Sequence, residues 1–267
     1  MGAMNQPGAG APGGRIRVQS PSVPENPLRL LLLFTKPPRP GRVKTRLIGE
    51  LTADEAARLH GTFLEDLLAR LRQGDFELRL AWALDADEEV PAGPVPGVRQ
   101  QGSDLGERLY RALSEAAAGA GAVAAVGSDH PTLPLELVHR AFAMIEDGEA
   151  GADVVLGPAE DGGYYLIALR AGAVSPRLFA DVAWSTDRVL AATLERCREL
   201  GLRAELLPLA ADVDTPDDLR RLAARMADSD LGCPRTRDLL LSLGLLPQSK
   251  IENRKSKIAA TAGEPAP

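Results

Sequence analysis

Three parts of the chain carry residue types and spacings suited to chemistry on a phosphate. The first is Lys36-Pro-Pro-Arg-Pro-Gly-Arg-Val-Lys-Thr-Arg-Leu47, which packs Lys36, Arg39, Arg42, Lys44 and Arg46 into eleven residues. Arginine forks match phosphate oxygens bidentately and lysine supplies a point charge. Pro37, Pro38 and Pro40 stiffen the segment, and Gly41 lets the backbone turn near a ligand. In an extended stretch Lys44 and Arg46, two apart, would point the same way. A solvated loop paired with surface acids would have the same composition, but its position just after an apolar run favours a diphosphate or triphosphate clamp. It is neither GxxxxGK[ST] nor GxGxxG, which sets aside P-loop kinases and dinucleotide-dependent dehydrogenases.

The second and third parts are acidic. Asp129 in Gly127-Ser128-Asp129-His130-Pro131 follows the short apolar run Ala122–Val126, where a carboxylate would project into a ligand crevice or merely close a turn. Ser128 lacks the second glycine of a nucleophile elbow, and His130 alone reads as a hydrogen-bonded turn residue. In Asp212-Val213-Asp214-Thr215-Pro216-Asp217-Asp218, helix physics accounts for Thr215 as N-cap, Pro216 in the first turn, and Asp217 and Asp218 at the positive helix end. Asp212 and Asp214 are left over, and they repel unless a cation is near. With Asp129 they offer hard oxygen ligands for Mg²⁺ or Mn²⁺, completed by phosphate oxygens and water.

The elements that must position these groups alternate between strand and helix. Leu28–Thr35 is short and continuously apolar, as in a strand covered on both faces. Thr52–Arg72 is a helix with a Thr52/Glu55 capping box and Ala56, Leu59, Phe63, Leu67 and Leu71 at helical spacing. Strand patterns follow at Phe76–Leu84, Ala122–Val126, Asp153–Gly157, Tyr164–Leu169 and Arg203–Leu207. Helical patterns cover Asp104–Ala118, a segment from about Pro134, Ser185–Leu200, Thr215–Ala227 and Arg235–Leu243, and a Pro/Gly-rich loop runs to about Gly97. This alternation predicts a three-layer α/β/α domain with a mostly parallel sheet and ligands at the carboxyl ends of its strands.

The domain is expected to occupy residues 28–246 of the 267. Residues 1–27 and 247–267 are polar or Gly/Pro-rich without an apolar period and are expected to be disordered tails. Both tails are net basic while the whole chain is −6, so the centre is more acidic still. That charge, with 4% aromatics, argues against nucleic acid as a partner. Two cysteines outside any CxxC pattern argue against a zinc site or disulfide scaffold. With neither a signal-peptide core nor an apolar run long enough to span a bilayer, the expected location is cytoplasmic. Composition says nothing of oligomeric state.

Six ordered blocks, KPPRPGRVKTRL, QGSDLGERL, GSDHP, GPAEDGGYYLIAL, FADVAWST and DVDTPDDL, resemble the DUF2064 family, also called radical-SAM/selenodomain-associated transferases. These are GT-A-fold proteins, usually named as glycosyltransferases linked to arsenosugar biosynthesis. More distantly the blocks are similar to phospholactate guanylyltransferase and molybdenum-cofactor nucleotidyltransferases. The resemblance runs from about Leu30 to Leu222. It implies a metal-dependent transfer from a nucleotide-diphospho-sugar to a small-molecule acceptor, with nucleotidyl transfer from an NTP as the alternative and a non-catalytic nucleotide-binding domain as a third reading.

By position, the resemblance assigns Lys36, Arg42, Lys44 and Arg46 to the donor phosphates, with Lys44 and Arg46 aiding departure of the leaving group. Gly102, Asp104 and Gly106 would lie near the base, although Asp104 with Glu107 also reads as a plain capping box. Asp129 and Asp214 would hold the metal. Glu160, Asp161, Gly162, Gly163, Tyr164, Trp184 and Ser185 would line the acceptor side, with Asp161 orienting or deprotonating an acceptor hydroxyl. Ser185 also suits a helix N-cap.

Overall fold

The computed structural model describes residues 28–247; the expected N-terminal tail and nearly all of the expected C-terminal tail lie outside them. Seven strands form one sheet: β1 (Arg29–Thr35), β2 (Glu77–Trp82), β3 (Gly97–Arg99), β4 (Ala122–Gly127), β5 (Val154–Pro158), β6 (Tyr164–Arg170) and β7 (Ala204–Leu206). Their order is β3-β2-β1-β4-β6-β5-β7. All pairings are parallel except those of β6, which runs antiparallel to both β4 and β5. The short Ala159–Gly163 turn between β5 and β6 permits only that direction, because a parallel return needs a crossover of a dozen or more residues.

Alternate residues of β1 divide between two cores. Leu31 and Leu33 face α1 (Ala53–Leu71) and α3 (Leu135–Glu146), with Leu67, Leu71, Val138 and Phe142. Leu30, Leu32 and Phe34 face the other layer, α2 (Leu105–Ala117), α4 (Pro176–Phe179) and α5 (Val189–Glu199), through Leu109, Leu113, Leu178 and Cys197. A third cluster joins the outer face of α1 to α6 (Pro216–Asp228) and α7 (Pro234–Ser242) through Leu59, Phe63, Leu222 and Leu240. The sheet is thus covered on both faces, as the continuous apolar runs require.

Thr52 and Thr215 both cap as their sequences predict, each side chain accepting from the third residue onward, with Glu55 and Asp218 completing reciprocal boxes. Three local expectations are corrected. The helix expected from Ser185 starts at Val189. Ser185 is left-handed with φ 63°, and Thr186 spends its hydroxyl on Ala183 O and Arg188 N, a turn that competes with helix. Ser185 is therefore not an N-cap.

Lys44 and Arg46 are not in an extended stretch. Lys44 is left-handed (φ 47°, ψ 38°) and a 3₁₀ turn covers Thr45–Leu47. The two side chains meet by another route, described below. Finally, β3 and α4 are too short for periodicity to reveal; β3 is three residues bordering a loop, paired only to β2.

Candidate functional site

The strand order reverses between β1 and β4, and their following loops leave the same edge of the sheet side by side. Ser128 N donates to Phe34 O at 3.1 Å. The segment leading into α6 crosses this edge and is fastened to it: Val213 N donates to Asp129 O at 3.0 Å. It is also fastened to the β5–β6 turn, where Glu160 N donates to Ala210 O at 3.2 Å. Two rings brace it from beneath. His130 donates from Nδ1 to Ala211 O at 2.6 Å and stacks on Tyr165, whose hydroxyl donates to Pro208 O at 3.1 Å. Burial pushes the His130 imidazole down to about 4, so it stands there as a neutral ring.

At the centre is Lys44. Its side chain is 2% exposed, and its ammonium contacts Asp129 Oδ1, Asp214 Oδ1 at 3.0 Å and Val213 O at 2.8 Å, with the Phe63 ring 5.7 Å away. Arg46 Nη1 lies 3.6 Å from Asp214 Oδ2 with its own side chain largely in solvent. The carboxylates of Asp129 and Asp214 thus share one cation while roughly half and a third of their side-chain surfaces remain accessible. Desolvation pushes Asp129 upward, but the adjacent Lys44 ammonium outweighs it and holds the carboxyl below its usual value. Asp212 goes the other way: burial, then Asp214 and Asp161, raise it to about 6, outweighing the opposing pull of Lys44.

The donor set is one of hard oxygens at a point where the fold already seats a positive charge, so it fits a divalent cation held by Asp129 and Asp214. Among the described residues no three His, Cys, Asp or Glu side chains are gathered for a metal. The remaining coordination would fall to ligand oxygens and water, the usual manner for Mg²⁺.

The other cations of the basic loop are divided. Lys36 is exposed and within electrostatic reach of Asp129. Arg39 pairs with Glu88, and Arg42 with Asp85 at 2.7 Å, so both are drawn toward the loop after β2. Lys36 and Arg46 are exposed beside the carboxylate pair, Arg46 touching Asp214.

In the acceptor-side set, Asp161 accepts from Gly163 N at 2.9 Å and stands near enough to raise Asp212. Glu160 is 3.5 Å from Arg221. Gly162 has φ 86°, and a Cβ there would lie 2.2 Å from Asp187 O, so this turn is pressed against the segment before α5. Tyr164 points into the α2/α5 layer, edge-on to Trp184 with ring centres 6.4 Å apart, and so belongs to the packing behind the site.

Trp184 itself lies over Gly106, where a Cβ would meet its Nε1 at 2.3 Å. The closest neighbour of Gly106 is therefore this indole. Gly102 takes φ 143° beneath Arg108, whose Nε donates to its carbonyl at 3.1 Å. Asp104 caps α2, accepting from Glu107 N at 2.8 Å. Asp104→Ala should therefore cost about 1 kcal/mol and lower the melting temperature by roughly 2–4 °C. A nucleotide titration of the same variant should show affinity within twofold of wild type; a tenfold loss would make Asp104 a ligand residue.

Two supporting residues escape sequence reasoning. His60, buried in α1, brings Nε2 to 3.0 Å from Lys36 O and 3.3 Å from Thr35 Oγ1, so it holds the start of the basic loop. Arg70 donates to Pro131 O, Leu133 O, Leu231 O and Gly232 O, binding the loop after β4 to the α6–α7 connection. Each was one member of a helical pattern, and nothing local marks its distant partners.

The geometry now has relatives to stand beside. The family model described as "Uncharacterized protein conserved in bacteria (DUF2064)" matches residues 66–186. A crystal structure from Desulfovibrio desulfuricans G20, provisionally assigned as a nucleotide-diphospho-sugar transferase, is 35% identical, covers 80% of this chain and 94% of its own, and superposes with a TM-score of 0.74. This chain belongs to the DUF2064 family.

The family match contains the QGSDLGERL, GSDHP, GPAEDGGYYLIAL and FADVAWST blocks, while the basic loop and DVDTPDDL lie outside it. A cytidylyltransferase from Leptospira borgpetersenii serovar Hardjo-bovis (strain JB197) is 12% identical over 90% of this chain and 98% of its own, TM-score 0.51, a likeness of fold alone. No curated protein matches the sequence significantly. The DUF2064 protein is a transferase with the α/β fold of nucleotide-diphospho-sugar transferases. Among its described residues no helix is long and apolar enough to cross a membrane.

Proposed function

We propose that this DUF2064 protein transfers a glycosyl group from a nucleotide-diphospho-sugar to a small-molecule acceptor with the help of Mg²⁺ or Mn²⁺. The observation that carries the reading is the meeting of Asp129 and Asp214, from separate loops, at one cationic point on the carboxyl edge of the sheet. Exposed Lys36 and Arg46 lie beside it. Lys36 and Arg46 at one carboxylate pair suit a diphosphate better than a triphosphate, since Arg39 and Arg42 are turned toward acids outside that pair. This favours glycosyl over nucleotidyl transfer.

A divalent cation held by Asp129 and Asp214 would neutralise charge building on the departing diphosphate. Lys36 and Arg46 bind the same phosphates and orient them. Asp161, accessible on the β5–β6 turn, takes the proton of an acceptor hydroxyl as its oxygen bonds to the anomeric carbon and the bond from that carbon to the diphosphate breaks. The adjacent glycines let the acceptor approach the backbone there.

A thermal-shift panel of NDP-sugars and NTPs, with and without Mn²⁺, is the direct test. A ligand at a hundred times its Kd stabilises the native state by about 2.7 kcal/mol. The expected result is a metal-dependent shift with an NDP-sugar, followed by release of nucleoside diphosphate in the presence of acceptors. Release of pyrophosphate from an NTP instead would assign nucleotidyl transfer and reject this reading.

A further inference from the structure

The ammonium of Lys44 has three N–H groups and three acceptors: Asp129 Oδ1, Asp214 Oδ1 and Val213 O. It has no donor left for a phosphate, and its side chain is 2% exposed, so no phosphate could reach it where it stands. Its backbone takes a left-handed conformation that L side chains rarely adopt, and this turns the side chain inward under the two carboxylates. Arg46, two residues on, stays in solvent and touches Asp214 from the outside. A lysine built to grip phosphate would be placed as Arg46 is. Lys44 is placed as an internal counter-ion.

We infer that Lys44 and a divalent cation compete for Asp129 and Asp214, so that Lys44 withdraws from the pair when the cation binds and only then becomes available to a donor phosphate. The inference rests on the metal reading proposed above and adds an order of events to it. Two like charges cannot share the same pair of oxygens at contact distance without strong repulsion. The side chains of Asp129 and Asp214 are 49% and 38% exposed, so a cation from solvent can reach their outer faces while Lys44 holds them from within. Cation entry loosens two of the three bonds that keep Lys44 in place. Its long, flexible stem can then carry the ammonium toward the crevice beside Lys36 and Arg46. Lys44 is in this sense a positioning residue for the two carboxylates.

The test needs no turnover. Mn²⁺ binding to the full chain is followed by the loss of the free-ion paramagnetic resonance signal, without nucleotide, for wild type, Lys44→Met and Lys44→Gln. The glutamine keeps a donor for the Val213 carbonyl, so loss of charge is separated from loss of packing. Both variants are expected to bind Mn²⁺ at least tenfold more tightly than wild type.

In parallel, wild-type lysines are reductively methylated with and without saturating Mg²⁺ and the peptides are weighed. Lys44 is expected to be protected in the metal-free protein and modified at least tenfold faster with the metal. Equal protection of Lys44 in both states would show a cation bound beside the lysine without displacing it and would overturn the inference, as would Mn²⁺ affinity unchanged in both variants. Wild type that binds no Mn²⁺ with or without nucleotide would remove the metal reading itself, so the two failures are distinct.

Discussion

Asp129→Asn should lower kcat/KM for the transfer by about 10²- to 10³-fold, equivalent to roughly 3–4 kcal/mol of transition-state stabilisation. The substitution keeps the shape of the side chain and removes the charge that both Lys44 and the proposed divalent cation answer to. Its cost to stability should be far smaller, about 1 kcal/mol. Half of the Asp129 side chain is accessible, so solvent screens the pair, and Lys44 retains Asp214 and the Val213 carbonyl. Circular-dichroism melting beside steady-state kinetics separates the two effects. A variant that turns over within threefold of wild type would remove Asp129 from the machinery.

Asp66→Ala should have the largest effect on stability, about 2–4 kcal/mol, or roughly 5–10 °C in melting temperature. Helix α7 has Cys233 at its N-cap, with no side-chain cap of its own. The cap comes instead from α1: Asp66, wholly buried, accepts from Thr236 N at 2.8 Å and from Arg235 N at 3.2 Å. The carboxylate faces the positive end of the helix, where a negative charge is stabilising. Alanine would strand two backbone donors, one of them fully inside, and leave the dipole uncompensated. Chemical denaturation of the variant should move the midpoint without changing the slope. A midpoint unchanged within error would show that water replaces the carboxylate.

The elements near the site were legible where chemistry is local. Thr52 and Thr215 announce their helices because the cap and its reciprocal acid stand three residues apart, and both boxes close in the structure. The apolar runs at Leu30–Phe34 and Ala122–Val126 announce buried neighbouring strands, and they pair along their whole length. What stayed hidden depends on contacts between distant residues or on backbone states the residue type does not favour. Nothing in a lysine predicts the left-handed conformation that turns Lys44 inward. Gly106 suggested room for a ligand, yet the indole of Trp184 fills that room. The direction of β6 lay in the length of a turn, a weaker signal than its apolar pattern. The metal role of Asp129 and Asp214 is first read from their chemical type, and the acceptor role of Asp161 from the family resemblance; the fold draws all three to one edge.

The bond from Val213 N to Asp129 O has a consequence for biosynthesis. Ribosomes add residues at about 5–20 per second, so a nascent chain that has made Asp129 waits roughly 4–17 s for Asp214 to be added. Throughout that interval Lys44 lacks its Val213 and Asp214 acceptors, at sequence separations of 169 and 170. Binding competence therefore waits until Asp214 has been made, and a chain cut short before residue 212 would lack one of the two carboxylates proposed to hold the ion.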